Sequence, residues 1–232
     1  MSSRITFIGL VGAIMISNVS FASPHVQVNP NTIAADFNYT ISKNNEAYHE
    51  VGWYAERTVN GHAQEYTITY GLKNGYAVSI GMNNYRFDQF DDGINQTTPS
   101  LDTLDIRAQK QITESIALFT GIKHVTGSWT YSSSSYIPPA ISKDNWSQNI
   151  AELGVIAEAS LSNQVRAYAT AGVGHDLREY KVGLSYNNVF EVGYRNIKYQ
   201  NLYNPLFASA GPPINGLDLT AKGLYFGVEY KF

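Results

Sequence analysis

Residues 224–232 read Leu-Tyr-Phe-Gly-Val-Glu-Tyr-Lys-Phe, and this stretch decides the fold. Counting back from Phe232, every second side chain is apolar or aromatic, whereas the positions between them include Glu229 and Lys231. Because successive side chains of a strand point to opposite faces, this alternation predicts a β-strand with one apolar and one polar face. In a soluble sheet protein the apolar face needs a second layer, whereas in a membrane-spanning barrel it faces lipid.

The N-terminal residues carry the pattern of an export signal. Arg4 supplies a positive charge, residues 5–16 form an apolar run, and Ser20-Phe21-Ala22 has the small-x-small form of a cleavage site. A transmembrane anchor would require a longer apolar run. The sequence therefore predicts a signal peptide at residues 1–22, cleaved near Ala22, and a barrel domain at residues 23–232.

The composition is consistent with a membrane barrel and argues against nucleic acid as a partner. Aromatic residues make up 13% of the chain, which suits the aromatic girdles at the two membrane interfaces. The mean hydropathy is -0.22, as expected when half of each spanning strand faces water. The net charge is -3 without a basic cluster, and the chain contains 0 Cys, so no disulfide framework is available.

Alternation and turn residues divide the chain into hairpins, and the Asn74-Gly75 pair predicts one type I′ turn. Nine strands can be counted back from the C-terminus. They lie near residues 217–232, 190–195, 179–186, 165–173, 151–158, 115–125, 101–111, 76–82 and 66–72.

The tenth strand comes from residues 32–58, where two candidates compete. Residues 33–41 alternate, and residues 48–58 also look extended and meet the next strand at Asn60-Gly61. Because barrels with both termini in the periplasm need an even number of strands, we expect ten, with eight or twelve as alternatives. The predicted fold is an all-β, antiparallel, up-and-down transmembrane barrel, and the competing fold is a soluble β-sandwich.

The lengths of the connections predict how the barrel lies in the membrane. Counting from a periplasmic C-terminus places every short turn in the periplasm and every long segment outside, the asymmetry expected of these barrels. The short turns are 73–75, 112–114, 160–164 and 187–188, and the long segments are 86–100, 126–147 and 199–216. The same count places six aromatic residues at one periplasmic level: Tyr70, Tyr76, Tyr186, Phe190, Tyr230 and Phe232.

Charged residues alternate with the apolar ones, so they are predicted to line the lumen. The predicted lumen charges are Glu65, Asp105, Arg107, Lys123, Glu152, Glu158, Arg166, Glu179, Lys181, Glu191, Arg195, Glu229 and Lys231. Opposite charges at similar heights should pair, since an unpaired charge is costly in a medium of low dielectric constant. Two interpretations remain open: a filled, salt-bridged interior, or a narrow polar channel whose charges select solutes.

Aromatic residues within segment 126–147 suggest a contact surface among serines. These candidate loop contacts are Trp129, Tyr131, Tyr136 and Trp146, and they could equally form the outer aromatic girdle. Asp88, Asp91 and Asp92 lack the spacing of a calcium loop, so no metal site is predicted there.

No residue pattern in the sequence predicts catalysis. Only His124, with Ser128 four residues later, hints at a His–Ser pair, and this spacing differs from the His-x-Ser spacing of lipid-hydrolysing barrels. We therefore expect neither an enzyme nor a cofactor.

The chain resembles the small outer-membrane β-barrels of bacteria, including the opacity-type and outer-membrane-protein-X-like porin families. The resemblance rests on the alternation, the hairpin layout and the terminal strand, in which Tyr230 and Phe232 match the signal read by the barrel-assembly machinery. It implies residence in the bacterial outer membrane, with membrane lipid and that machinery as partners. Two function classes follow: a porin-like barrel that passes small solutes, or a closed structural or adhesive barrel whose loops bind an extracellular ligand.

Overall fold

The structure, a computed structural model, describes residues 26, 28–50, 53–91, 95–133, 140–202 and 217–232. The predicted signal peptide lies outside the described residues. The described chain is almost entirely β-strand, with one 3-10 turn at Lys73–Gly75, and none of its helices is long and apolar enough to cross a membrane. The strands are β1 (Ile33–Glu50), β2 (Trp53–Gly71), β3 (Tyr76–Phe87), β4 (Phe90–Asp91), β5 (Asn95–Thr113), β6 (Ile116–Ser133), β7 (Ala140–Ser160), β8 (Val165–Gly174), β9 (Leu177–Tyr186), β10 (Phe190–Leu202) and β11 (Leu217–Lys231).

Ten of these strands close into an antiparallel barrel. Each pairs with its neighbours in the chain, β3 pairs with β5, and β1 pairs with β11 to complete the ring. The two-residue β4 pairs only with β5 and stands outside the count. The expected ten-strand barrel is therefore confirmed.

The two candidate segments for the tenth strand both belong to one long pair of strands, β1 and β2. Residues 33–41 lie in β1, whereas residues 48–50 and 53–58 form the far ends of β1 and β2, paired as Tyr48↔Ala55. The turn expected at Asn60-Gly61 was wrong, because both residues lie inside β2 opposite Lys43 and Ser42. A type I′ turn needs positive φ at both central residues, which Asn74 (61°) and Gly75 (72°) have and Asn60 and Gly61 lack.

Four tight connections, at residues 72–75, 114–115, 161–164 and 187–189, lie at one end of the barrel, called here the turn end. A fifth, the two-residue turn His175-Asp176 between β8 and β9, lies at the opposite end. Ile33 and Phe232 meet at the turn end, where each backbone N–H donates to the other's carbonyl, at 3.1 and 2.7 Å. The opposite end is called the loop end. It carries the β1–β2, β3–β5, β6–β7, β8–β9 and β10–β11 connections.

The segments expected to be long loops are mostly strand. β6 and β7 remain paired from Thr126↔Ser147 to Ser133↔Ala140, so residues 126–133 and 140–147 belong to paired strands, and β5 already begins at Asn95. Thr and Tyr are common in strands, so the polarity of this stretch does not exclude an extended pair. Most of segment 199–216 lies outside the described residues.

The outer surface of the barrel is apolar. Large aliphatic side chains at mid-height are half exposed or more: Ile41, Ile68, Ile80, Ile106, Ile122, Leu153, Val173 and Leu224. Exposed aromatic side chains lie at the turn end along the side formed by β3, β2, β1, β11, β10 and β9: Tyr70, Tyr76, Tyr186, Phe190 and Phe232, with Tyr230 half-buried beside them. An apolar exterior around a charged interior is the arrangement of a transmembrane β-barrel.

Candidate functional site in the barrel interior

Inward-facing side chains fill the loop-end half of the barrel with an apolar layer. Its members are buried and belong to one contact cluster: Ala63, Tyr85, Phe87, Leu101, Val125, Trp146, Ile150, Leu177, Ile197, Tyr199, Leu202, Leu219 and Ala221. Tyr199 and Leu202 are 0% exposed. The sequence did not predict this layer, because its members lie on the strand faces expected to be polar.

Trp146 belongs to this layer and not to an outer loop. It lies in β7 and is 7% exposed, with its indole ring against Gly127, where an added Cβ would come 2.2 Å from the ring. The expectation that Trp146 is an exposed loop contact was therefore wrong, since its β7 position faces inward. Trp129 and Tyr131 lie in β6 with side chains outside the described set, and Tyr136 lies outside the described residues.

On the turn-end side of the apolar layer lies a charge layer, which is formed by inward-facing polar residues. Its members are Glu65, Asn83, Asp105, Arg107, Lys123, Glu152, Glu179, Lys181 and Arg195. All but Asn83 were predicted to line the lumen.

Arg107 and Lys123 form the first half of the charge layer. The Arg107 guanidinium binds Glu152 through two contacts, of 2.5 and 3.1 Å, and also contacts Glu179 of β9. The Lys123 ammonium lies 2.8 Å from Asp105 and 3.3 Å from Glu179. Glu179 thus joins both cations, and β9 is tied to β5 and β6 across the lumen.

Arg195 organises the second half. Its guanidinium donates to Asn83 Oδ1 at 2.9 Å and to Glu65 at 3.2 Å, and it lies 4.0 Å from Glu179. Lys181 lies 3.5 Å from Glu65. β10 is therefore connected to β2 and β3, on the other side of the closing seam between β1 and β11.

The charges in this layer are buried, so their pairing is what makes them tolerable. Lys123 is 0% exposed, and Asp105, Glu152 and Arg195 are each no more than 6% exposed. Removing one partner from a buried, hydrogen-bonded set leaves another charge uncompensated, which costs more than the intact pair contributes. The layer therefore holds the opposite walls in one arrangement.

The other predicted lumen charges lie nearer the turn end. Arg166 binds Glu158 and the side chain of Asn188. Glu191 accepts a hydrogen bond from Tyr168 at 2.8 Å. Glu229 is buried and lies close to Glu191 and to Asp36, whereas the side chain of Lys231 is outside the described set. Asp36 was missed as a site residue, although its place on the polar face of residues 33–41 was visible in the alternation.

A cavity of about 90 Å³ lies among these groups. Polar side chains from several walls line it, including Asp36, Asn38, Thr170 and Glu229, and Val28 reaches it from the segment before β1. Val26 of that segment is 1% exposed and packs with Ala117, Phe119 and Ile156. Val26 and Val28 therefore lie inside the barrel at its turn end.

No protein-family model and no curated protein matches the chain. Three solved structures to which it is similar come from bacteria. The attachment invasion locus protein of Yersinia pestis has 12% identity and a TM-score of 0.48, and the match covers 88% of this chain and 100% of the Yersinia chain. The translocator domain of the autotransporter NalP from Neisseria meningitidis has 10% identity and a TM-score of 0.49, and the match covers 97% of this chain and 94% of the NalP domain. The outer membrane protease OmpT from Escherichia coli has 13% identity and a TM-score of 0.49, and the match covers 91% of this chain and 100% of the OmpT chain.

Proposed function

We propose that this chain is a bacterial outer-membrane β-barrel whose lumen is closed at rest and which acts through its loop end. The observation that carries the proposal is the contact between opposite walls: Arg195 of β10 with Asn83 of β3, and Arg107 of β5 with Glu179 of β9. These contacts occupy the cross-section that a solute would have to pass. The apolar layer occupies the next cross-section toward the loop end.

The proposed orientation puts the turn end in the periplasm and the loop end outside. The four tight turns at this end support this orientation, since short turns face the periplasm in these barrels. Tyr230 and Phe232, whose rings lie 5.2 Å apart near the end of β11, are the proposed signal for the barrel-assembly machinery. A signal peptide at residues 1–22 would deliver the chain.

The outer surface proposed to bind a partner is the tall wall, formed by β1, β2, β5, β6 and β7. These strands contain 18, 19, 19, 18 and 21 residues, whereas β8 and β9 contain 10 each. A tilted strand of roughly 10 residues spans a bilayer, so the tall wall extends roughly 25 Å beyond it along the strands. An extracellular ligand would meet this wall first.

Two measurements test the proposal. Single-channel recording of the refolded protein in a planar bilayer should show no discrete conductance steps, and stable steps would contradict a closed lumen. Deleting residues 130–142 should abolish binding to a surface while leaving heat-modifiable folding intact. Deleting residues 48–55 shortens the β1–β2 part of the same tall wall, and binding unchanged by both deletions would contradict a role for this wall.

A porin-like channel is the second candidate, and the polar cavity of about 90 Å³ favours it. If the charge layer rearranges to admit ions, Arg195→Ala or Arg166→Ala should shift ion preference toward cations. An unchanged reversal potential in a conducting preparation would count against these charges as selectivity elements.

The proposal includes no enzymatic activity. His124 and Ser128 are separately engaged, His124 with Asn149 at 2.7 Å and Ser128 with Ser100 at 2.7 Å. A nucleophile requires a base within hydrogen-bond reach, so this engagement supports a non-catalytic barrel. Hydrolysis of an ester or peptide substrate that is lost in Ser128→Ala would overturn it.

A further inference from the structure

Three carboxylates meet inside the barrel near its turn end and form a carboxylate cluster. Asp36 of β1, Glu191 of β10 and Glu229 of β11 each place one oxygen within 4.8 Å of the other two. Glu191 is 5% exposed and Glu229 is 1% exposed. Lys181 acts on Asp36 electrostatically but also lies 3.5 Å from Glu65. Buried carboxylates this close repel one another unless a proton or a cation lies between them.

A second observation points to a ligand over Gly227. The strand register places Gly227 directly between Asn38 of β1 and Glu191 of β10, and it pairs Asp36 with Glu229 two residues nearer the turn end. A Cβ at Gly227 would lie 2.0 Å from Asn38 Oδ1, so the amide oxygen occupies the space that the glycine leaves.

The two residues that flank Gly227 each carry one oxygen that is buried without a hydrogen-bond donor among the described residues. These oxygens are Asn38 Oδ1, on a residue that is 2% exposed, and Glu191 Oε1. An acceptor that is buried without a donor is costly, and a bound cation would satisfy both. Asn38, Asp36 and Glu229 also line the interior cavity, and Asp36 is partly exposed there.

The chemistry of the donors selects the cation. All of the candidate ligand atoms are carboxylate or amide oxygens, which hard divalent cations prefer. Oxygens within 4.8 Å of one another can contact a single ion. Calcium accepts irregular oxygen geometry, whereas magnesium demands a near-ideal octahedron and keeps several waters, so ligands fixed on three strands fit calcium better.

We propose that Asp36, Asn38, Glu191 and Glu229 bind a calcium ion inside the barrel. The ion would join β1, β11 and β10, the strands at the seam where the two ends of the sheet meet. Binding to the folded state alone raises its stability by mass action, so calcium would strengthen closure of the barrel.

Terbium luminescence tests this site in the refolded, mature chain in detergent. Tyr168 donates to Glu191 Oε2 at 2.8 Å, so its ring can sensitise a Tb³⁺ ion bound there. We expect saturable luminescence that calcium displaces at lower concentration than magnesium does. Glu191→Gln and Asp36→Asn should each weaken binding by roughly tenfold or more. Asp102→Asn, which alters an exposed carboxylate paired with Arg86, should leave binding unchanged.

Gly227→Ala supplies a variant that keeps every ligand. Its methyl group would displace the Asn38 amide, so it should weaken calcium competition although no carboxylate is lost. Heat-modifiable mobility verifies that each variant is folded. Absence of saturable luminescence in the folded wild-type protein, or equal calcium affinity in the Glu191→Gln and Asp102→Asn variants, would overturn the site.

Discussion

Arg195 on β10 donates a hydrogen bond of 2.9 Å to Asn83 on β3, although β11, β1 and β2 lie between these strands in the ring. The contact crosses the lumen, and Asn83 in turn donates to Thr103 at 3.1 Å and to Asp105 at 3.4 Å. One side chain therefore links the Arg195 half of the charge layer to the Lys123 half. The interior behaves as one connected polar network that spans the barrel.

Replacing Lys123 with Met should destabilise the barrel strongly. Lys123 is 0% exposed, and its loss leaves the buried Asp105 carboxylate without the ammonium 2.8 Å away. Breaking a buried ion pair in this way costs about 3–5 kcal/mol. Urea unfolding of the protein in lipid vesicles measures the loss. Arg86→Met is the control, since the exposed Arg86–Asp102 pair contributes about 1 kcal/mol or less. Equal losses in the two variants would contradict the role of burial.

Opening the lumen should require changes in both layers. Arg107→Ala with Glu179→Ala removes a cross-lumen ion pair but leaves the apolar layer, so this double variant should stay silent in a planar bilayer. Adding Tyr85→Ala and Tyr199→Ala removes two of the buried rings of the apolar layer, and conductance steps should then appear. Steps in the first double variant would show that the charge layer alone closes the barrel.

Gly193→Ala should destabilise the barrel by about 1–3 kcal/mol through overpacking. The added Cβ would lie 2.2 Å from the Val182 carbonyl oxygen and 2.5 Å from the Tyr225 hydroxyl, and Tyr225 is 0% exposed. Gly81→Ala is the matched control, because its nearest contact is Thr67 Oγ1 at 3.3 Å. Equilibrium unfolding in urea compares the two. A control variant as unstable as Gly193→Ala would point to a general cost of alanine in these strands.

Val26→Asp should release the segment before β1 from the turn end. Val26 is 1% exposed against Phe119 and Ile156, and an unpaired carboxylate there would be strongly unfavourable. Because the chain contains 0 Cys, a single Thr170→Cys reporter in the cavity can be labelled with a charged, water-soluble thiol reagent. Labelling should be at least several-fold faster in Val26→Asp than in Val26→Leu. Equal rates would mean that this segment does not restrict access to the cavity.

The sequence alone determined which residues face lipid and which face the lumen. In a strand the side chains alternate with a period of two, so the pattern of residues 224–232 assigns Phe226 outward and Glu229 inward without knowledge of any partner strand. The turn at Asn74-Gly75 was equally local, since it depends on the positive φ that these two residues accept. The strand number followed from repeating these local signals along the chain.

Only the tertiary structure decided which interior groups meet. The contacts of Arg195 with Asn83, and of Asp36 with Glu191 and Glu229, depend on closure of the ring and on the stagger between strands. The inward position of Trp146 depends on β6 and β7 continuing as a pair through a stretch whose polar side chains read locally as a loop. Alternation is a property of one strand, whereas contacts across a lumen depend on the positions of all ten strands together.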